Sequence, residues 1–525
     1  MPAGRRGGFA AAPSKSGARM EAGRRRRPRE LARPFAPGAY DVVVVGSGPG
    51  GLQTGYCLAR AGIKRFAVLS RDDEPGGMFR RFPVFQRLIS WTKPEAPAAR
   101  GTREYEWYDH NSLLGDEPAH RALVPTFMDR TFDVPAREEM EAALRAFVER
   151  AGVRVRYGCT VESATRQDDG LALATSDGEY RCRVAIFALG VTEPWLPPIP
   201  GVEAAPHYVN THSPSDYDGK RVAIVGKRNS AFEVAQGILP WAKQITLISP
   251  RPVQTAVLAL SALRVRYLHP YDEYTRGGSG TFVLDAAIER IERTNGAFSV
   301  HAEGTTSPGR FELDVDEVIV ATGFRTPLEP LARLDVATLA DGRIPAQTPF
   351  WESVSAPGVY FAGNTTQGAA GMSKHGAAAS STSVNGFRYN ARVLVRHLAE
   401  TRFGIAMTQP RLERDDVVPF VLGELARAPE LWIQKGYLAR VVTVDAAAGI
   451  RDGGIVPLTH FVDAPGPTAF AAAIEVDREG TIVPVIYVRR GGRVEEHVLP
   501  THPLREFDGP EQRRELEARL KPILR

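Results

Sequence analysis

Asp41-Val-Val-Val-Val-Gly-Ser-Gly-Pro-Gly-Gly51 is the stretch on which the fold of this chain turns. A short β-branched run ends on glycine, residues 52–61 read as a helix, and Gly62 closes it. That order specifies a buried strand, a tight turn and a helix. Residues 66–69 supply the next strand, so the unit is a βαβ of about 30 residues, the context in which a GxGxxG spacing has physical meaning. Gly46 permits the tight turn, Gly48 lets the backbone approach a pyrophosphate, and Gly51 lets the helix lie close to the strand. Pro49 and Gly50 lead into the helix, whose N-terminus sets free N–H groups and the positive end of a helix dipole against phosphate.

A second turn, Arg221-Val-Ala-Ile-Val-Gly-Lys-Arg-Asn-Ser-Ala231, follows about 180 residues later. A helix near 230–237 and a strand at 244–249 complete a second βαβ unit. Gly226, Lys227 and Ser230 are candidate nucleotide contacts. Arg228 replaces the second glycine, which crowds a pyrophosphate unless the backbone shifts and the guanidinium itself meets phosphate. Arg251, just past the second strand, suits a 2′-phosphate and so favours NADPH over NADH. Two such turns imply two dinucleotides held together and electron transfer between them.

The 525 residues suffice for two to four domains, and 43% hydrophobic content is that of a globular protein. No apolar run approaches the ~18 residues of a membrane span. The formal charge of +5 is misleading: residues 1–33 carry ten Lys/Arg and two Asp/Glu, net +8, which leaves −3 for the rest. The body therefore lacks a nucleic-acid footprint. Residues 1–38 read as a disordered basic tail, with a transit peptide or a true start at Met20 or later left open. Three cysteines, none in a CxxC pair, suit a reducing, cytoplasmic setting.

Beyond the two turns, Ser70 stands where an acidic ribose ligand is usual, followed by Arg71, Asp72 and Asp73. Pro75-Gly76-Gly77 makes another glycine turn, and Gly358-Val-Tyr-Phe-Ala-Gly363-Asn364 and Ala321-Thr322-Gly323-Phe324 end two later buried strands. Together these motifs resemble the two-dinucleotide-binding-domain FAD/NAD(P) oxidoreductases over residues 40–400. The resemblance implies an α/β protein with two Rossmann-like, three-layer ββα domains, the NAD(P) domain inserted in the FAD domain. The expected bounds are 39–206 and 312–404 for the FAD domain and 207–311 for the NAD(P) domain. A strand is expected at 153–156 and a long helix at about 377–400. Residues 405–525, where alternating runs at 438–444, 469–476, 482–488 and 494–499 read as four strands, are expected to form a small C-terminal β-rich region with a closing helix at 510–520.

By the same resemblance FAD is the first cofactor and NADPH the second. Gly76 and Gly77 then lie near the ribityl-flavin portion, Val161 contacts adenine, and Asn364 replaces an aspartate that binds a ribityl hydroxyl. The pattern is most similar to the class B flavin monooxygenases of the N-hydroxylating type, since His212 stands at a matching distance before Gly226. That implies catalytic roles for His212 and Asn229, a small-molecule substrate, O2, and chemistry through a flavin C4a-hydroperoxide. Lys374, His375 and Arg325 are further polar candidates near the flavin. No metal-ligand constellation competes. A reductase passing electrons to another acceptor and a flavin-binding protein with little turnover remain alternatives, and homo-oligomerisation is left open.

Overall fold

The computed structural model describes residues 33–81, 87–253, 280–375 and 377–524. Most of the expected basic tail, and part of the segment after Phe79, lie outside the described residues.

β1 (Gly38–Val45) ends in four buried valines. Both of its edges are paired in parallel, with β2 (Phe66–Leu69) on one side and the later strand β5 on the other. α1 (Pro49–Arg60) starts directly after the turn, with Pro49 at its first position. There the missing N–H of proline costs nothing. α2 (Arg137–Ala151) ends on Gly152, whose φ of 65° only glycine adopts without strain. β3 (Val161–Gln167), β4 (Gly170–Thr175) and β5 (Gly178–Phe187) form an antiparallel meander, giving the order β2-β1-β5-β4-β3. The strand expected at 153–156 is reduced to one bridge, Leu69 with Arg156.

The second sheet is built from β6 (Arg221–Val225), β7 (Gln244–Ser249), β8 (Thr281–Thr294), β9 (Ala297–Gly304), β10 (Arg310–Val315) and β11 (Glu317–Val320). Its order is β10-β9-β8-β7-β6-β11. α3 (Asn229–Ile238) follows β6 and stops before Pro240. β11 pairs in parallel with β6, Glu317 opposite Val222, so the boundary expected at 311 moves to about 320. A short buried apolar run carries no mark of which sheet it will join. The last parallel strand of the first sheet, β12 (Val359–Phe361), lies on the end of β5. The two crossovers between the units pair with each other, Glu193–Pro194 against Phe324–Arg325.

The helix expected at 377–400 is α4 (Val384–Phe403), preceded by a hairpin of Ser373–Lys374 with Ala377–Ala378. The intervening Ser380-Ser-Thr-Ser383 run favours turns over helix because its hydroxyls compete for backbone groups. α4 anchors the loop segment 106–112. The fully buried Arg388 guanidinium donates to the carbonyls of Glu106 (2.9 Å), Asp109 (2.8 Å) and Ser112 (2.8 Å).

The C-terminal region is a six-stranded antiparallel sheet. The four expected strands are there, and Gly449–Pro457 and Arg411–Leu412 join them. Ala469–Val476 is buried at every residue. Helices Arg414–Arg427 and Pro510–Leu520 cover one of its faces, and Leu458–Asp463 covers the other.

Candidate functional site

Two cavities open at the carboxyl ends of the parallel strands, where ligands of open α/β sheets sit. The first, of about 400 Å³, lies at the ends of β1, β2 and β5 and over the start of α1. Gly46 has φ +120°, and a Cβ there would lie 2.4 Å from the Ala188 carbonyl oxygen. A Cβ on Gly51 would lie 1.9 Å from the Gly46 oxygen, and one on Gly50 would lie 2.4 Å from Gly363 Cα. These three glycines are consumed by close packing of backbone on backbone. Gly48 differs: nothing stands within 4 Å of its missing Cβ, so the chain leaves an open cradle there. α1 carries no acidic residue in its first turn, so its end keeps its positive field.

Ser70, Arg71, Asp72, Cys159 and Val161 form one end of this cavity. Gly77 packs above Gly48, with Gly76 behind it donating its N–H to Ser47 O at 3.1 Å. Ser70 is buried, its hydroxyl paired with Ser47 Oγ at 2.7 Å and accepting from Asp72 N. The turn thus uses Ser70 internally, and Asp72 lines the wall while Asp73 turns outward to Arg80. Gly363, Asn364, Ser383 and Val384 close the other end. Asn364 Oδ1 accepts from Val191 N at 3.0 Å, tying the turn after β12 to the turn after β5.

The second cavity, of about 630 Å³, has Gly226, Lys227, Arg228, Ser249, Arg251, Thr322 and Gly323 in its wall. Gly226 repeats Gly46, with φ +125° and 2.5 Å from a Cβ to the Ala321 oxygen. Arg228 caps α3 in an ordinary extended conformation, φ −118° and ψ −167°, and is exposed at the rim with Arg251. Lys227 departs from its expected role as a phosphate contact. Its side chain is buried, its ammonium donates to Leu284 O at 2.8 Å and it pairs with Asp285, tying the turn to β8. Thr322 Oγ1 donates to Trp195 O at 2.5 Å, and Gly323 O accepts from Trp195 N at 3.0 Å, so this pair also pins the crossover.

Asn229 and Ser230 line both cavities. Beside them stand three side chains that sequence reasoning missed: Tyr208, Glu233 and Phe324. Tyr208 donates its hydroxyl proton to Glu233 Oε2 at 3.0 Å. Glu233 lies four residues after Asn229 on α3, so helical spacing alone could have put both on one face. His207, also missed, is buried behind this group. Its Nδ1 accepts from Val209 N, and its Nε2 donates to Gly323 O at 3.1 Å. Burial holds its pKa below the ordinary value.

His212 is not in this constellation. It is exposed, its ring tilted 42° to that of Tyr217 with centres 6.5 Å apart, and it lines neither cavity. The 3-10 turn Pro214–Tyr217 that follows it buries Tyr217, whose hydroxyl accepts from His212 N at 3.2 Å. Arg325 pairs with Glu193, Lys374 pairs with Glu475, and His375 is exposed, so none of them faces the cavities.

Cys57, Cys159 and Cys182 are free and buried, and burial pushes Cys57 up to about 11 and Cys182 up to about 12. Among the described residues no group of His, Cys, Asp and Glu could hold a metal, and no helix is long and apolar enough to cross a membrane.

A family profile described as pyridine nucleotide-disulphide oxidoreductase matches residues 43–363. The chain is similar to the FAD-dependent oxidoreductase domain-containing protein 2 of Danio rerio, 26% identical over 463 residues. That match covers 78% of this chain and 66% of the fish protein, so the chain spans just under two thirds of that relative. It is 28% identical to the ferredoxin–NADP reductase of Thermus thermophilus over 338 residues, 62% of this chain and 84% of that protein. The fold is shared with a flavin-containing monooxygenase from Stenotrophomonas maltophilia, at 23% identity and a TM-score of 0.52, covering 69% of this chain and 98% of that one. With paired glycine turns, two cavities meeting at one helix end and a profile match across both, the chain belongs to the pyridine nucleotide-disulphide oxidoreductase family, built on two dinucleotide-binding domains for FAD and NAD(P).

Proposed function

We propose that this protein is an FAD-dependent oxidoreductase that draws hydride from NADPH and acts as a monooxygenase on a small molecule, with O2 as co-substrate. One observation carries the reading: Asn229 and Ser230, at the start of α3, are wall residues of both cavities. Two ligands seated on the two turns would meet there, and hydride transfer needs such contact.

The residues fit the cofactors. The open space at Gly48 and the start of α1 suit the FAD pyrophosphate, with Asp72 and Val161 toward the adenosine. The Gly363–Asn364 turn and the start of α4, through Ser383 and Val384, suit the flavin, where the positive helix end favours negative charge. Arg228 and Arg251 suit the phosphates of NADPH. When bound, FAD supplies hydride acceptance and reactivity toward O2.

The chain's own residues do the rest. Asn229 and Ser230 orient the two ligands. Glu233 fixes the Tyr208 hydroxyl and can hold a proton beside the junction. Met78, Phe79, Leu88, Phe324 and Pro327 make the wall apolar and keep water away. Of three cysteines only Cys159 reaches a cavity wall, so a dithiol exit for electrons has no support here, despite the family's name. Three free thiols keep a reducing, cytoplasmic setting in this reading.

A second reading, a reductase serving another acceptor, is favoured by the Thermus relative. Rapid mixing separates the two. The purified protein is expected to be yellow and to bleach with NADPH under anaerobic conditions. Adding O2 to the reduced protein should give a transient near-ultraviolet band. Reoxidation without that band selects the reductase, and failure of either nicotinamide to bleach the protein leaves a flavin binder with little turnover.

A further inference from the structure

The C-terminal sheet lines neither cavity, yet a fully buried chain of hydrogen bonds leads from the helix just before its strand Leu438–Asp445 to the cavity wall. Gln434 ends the helix Pro429–Ile433, on the C-terminal side of this chain of contacts. Its Nε2 donates to Asn390 Oδ1 at 2.6 Å and to Ser381 Oγ at 2.9 Å. Asn390, on α4, donates from Nδ2 to Ser381 Oγ at 2.8 Å and to Thr366 Oγ1 at 3.0 Å. Thr366 Oγ1 donates to the carbonyl of Gly363 at 2.6 Å. Gly363 in turn sits against Gly50 at the start of α1 and lines the first cavity. Gln434, Asn390, Thr366 and Ser381 are each at most 1% exposed, so none of these bonds can be exchanged for one to water.

A second contact holds the same segment from the same side. Lys374 stands in the hairpin between the Gly363 turn and α4, and its ammonium meets Glu475 Oε2 at 2.5 Å and Tyr487 Oη at 2.6 Å. Glu475 and Tyr487 are buried residues of the C-terminal sheet. The Gly363 turn at the cavity and Lys374 of the hairpin after it are thus both tied to the C-terminal region.

We propose that the C-terminal region is a working part of the flavin site, with Gln434 as a positioning residue that sets the Gly363–Asn364 turn through Asn390 and Thr366. This rests on the reading of the first cavity as the FAD site. A turn held by a relay without slack presents its backbone to the flavin in one geometry, and loosening the relay changes both the hold on FAD and the field around it.

The test uses the full chain with Gln434→Met, which keeps length and shape but removes both donated bonds. FAD affinity is measured by titrating apoprotein, and the flavin midpoint potential by dye equilibration. The expected result is a loss of FAD affinity of about five- to tenfold, with a displaced potential and a shifted visible spectrum. Thr366→Val should do the same, and the double variant should lose less than the product of the two, because both act through one relay. Unchanged affinity and potential in folded Gln434→Met overturns the proposal, whatever happens to melting temperature. Should that variant fail to fold, Lys374→Met on the second contact decides: an affinity loss of about threefold supports the proposal and no change overturns it. A wild-type chain that binds no FAD at all would instead remove the parent reading.

Discussion

The two glycine turns begin alike and then part. Gly46 and Gly226 share φ near +120°, and in each a Cβ would meet a carbonyl oxygen at about the same distance, 2.4 and 2.5 Å. Beyond that the first turn has Gly48 and Gly51 where the second has Arg228 and Ala231. Ala231 is fully buried without strain, whereas the space at Gly51 is closed by the Gly46 oxygen. α1 therefore presses closer to its strand than α3 does. Only the first glycine is demanded by the bend itself. The second decides how open the cradle is, and the third how near the helix comes.

The largest effect should come from Gly51→Ala, since its Cβ would fall 1.9 Å from backbone. FAD should be lost on purification and the melting temperature should fall by several degrees. Retention of FAD would break the contrast, because Ala231→Gly in the second turn is expected to cost only about 1 kcal/mol. Gly48→Leu should separate binding from folding. Its φ of −71° and ψ of 177° suit any residue and its space is empty. The apoprotein should melt as wild type, while FAD affinity falls by about 100-fold, the loss of one or two hydrogen bonds to charged phosphate.

Arg228→Gly would make the second turn resemble the first. If the guanidinium serves phosphate, the Kd for NADPH should rise about tenfold, the value of a charged hydrogen bond. Tighter binding would show that Arg228 merely crowds the cradle. Arg251→Ala should raise KM for NADPH by about tenfold and leave NADH untouched. Equal effects on both would sink the 2′-phosphate assignment.

The smallest effect is acid-linked. The Lys227 ammonium holds the Asp285 carboxyl below its usual range. A lowered carboxyl contributes stability above its ordinary value of 3.8, and that contribution is lost as pH falls through the lower folded value. Melting curves from pH 5 to pH 2 should show this loss in the wild type and less of it in Asp285→Asn. The same slope in both would remove the Lys227 tie as a feature of the second turn.

Much of the fold was legible because it rests on local rules. β-Branched runs, glycine after a strand and helical period placed both βαβ units, and Pro510–Leu520 was found as expected. The misses share one cause. β11 joined the second sheet, α4 started late and Gly449–Pro457 paired as a strand despite its glycines. Each outcome depends on a distant partner that no local window contains. The site divides in the same way: Asn229 and Ser230 were legible from their turn, while Tyr208 and Glu233 meet only after the crossover folds back.

Residue order alone specified two nucleotide turns, their helices and a chain lacking a redox cysteine pair, since backbone sterics and side-chain chemistry act within a few residues. Folding in three dimensions decided that His212 faces outward, that Lys227 is spent on Asp285, and that Gln434 is tied through Asn390 and Thr366 to the turn at Gly363. Those outcomes depend on which buried polar groups find partners, and a hydrogen bond across the core can be read only once the core exists.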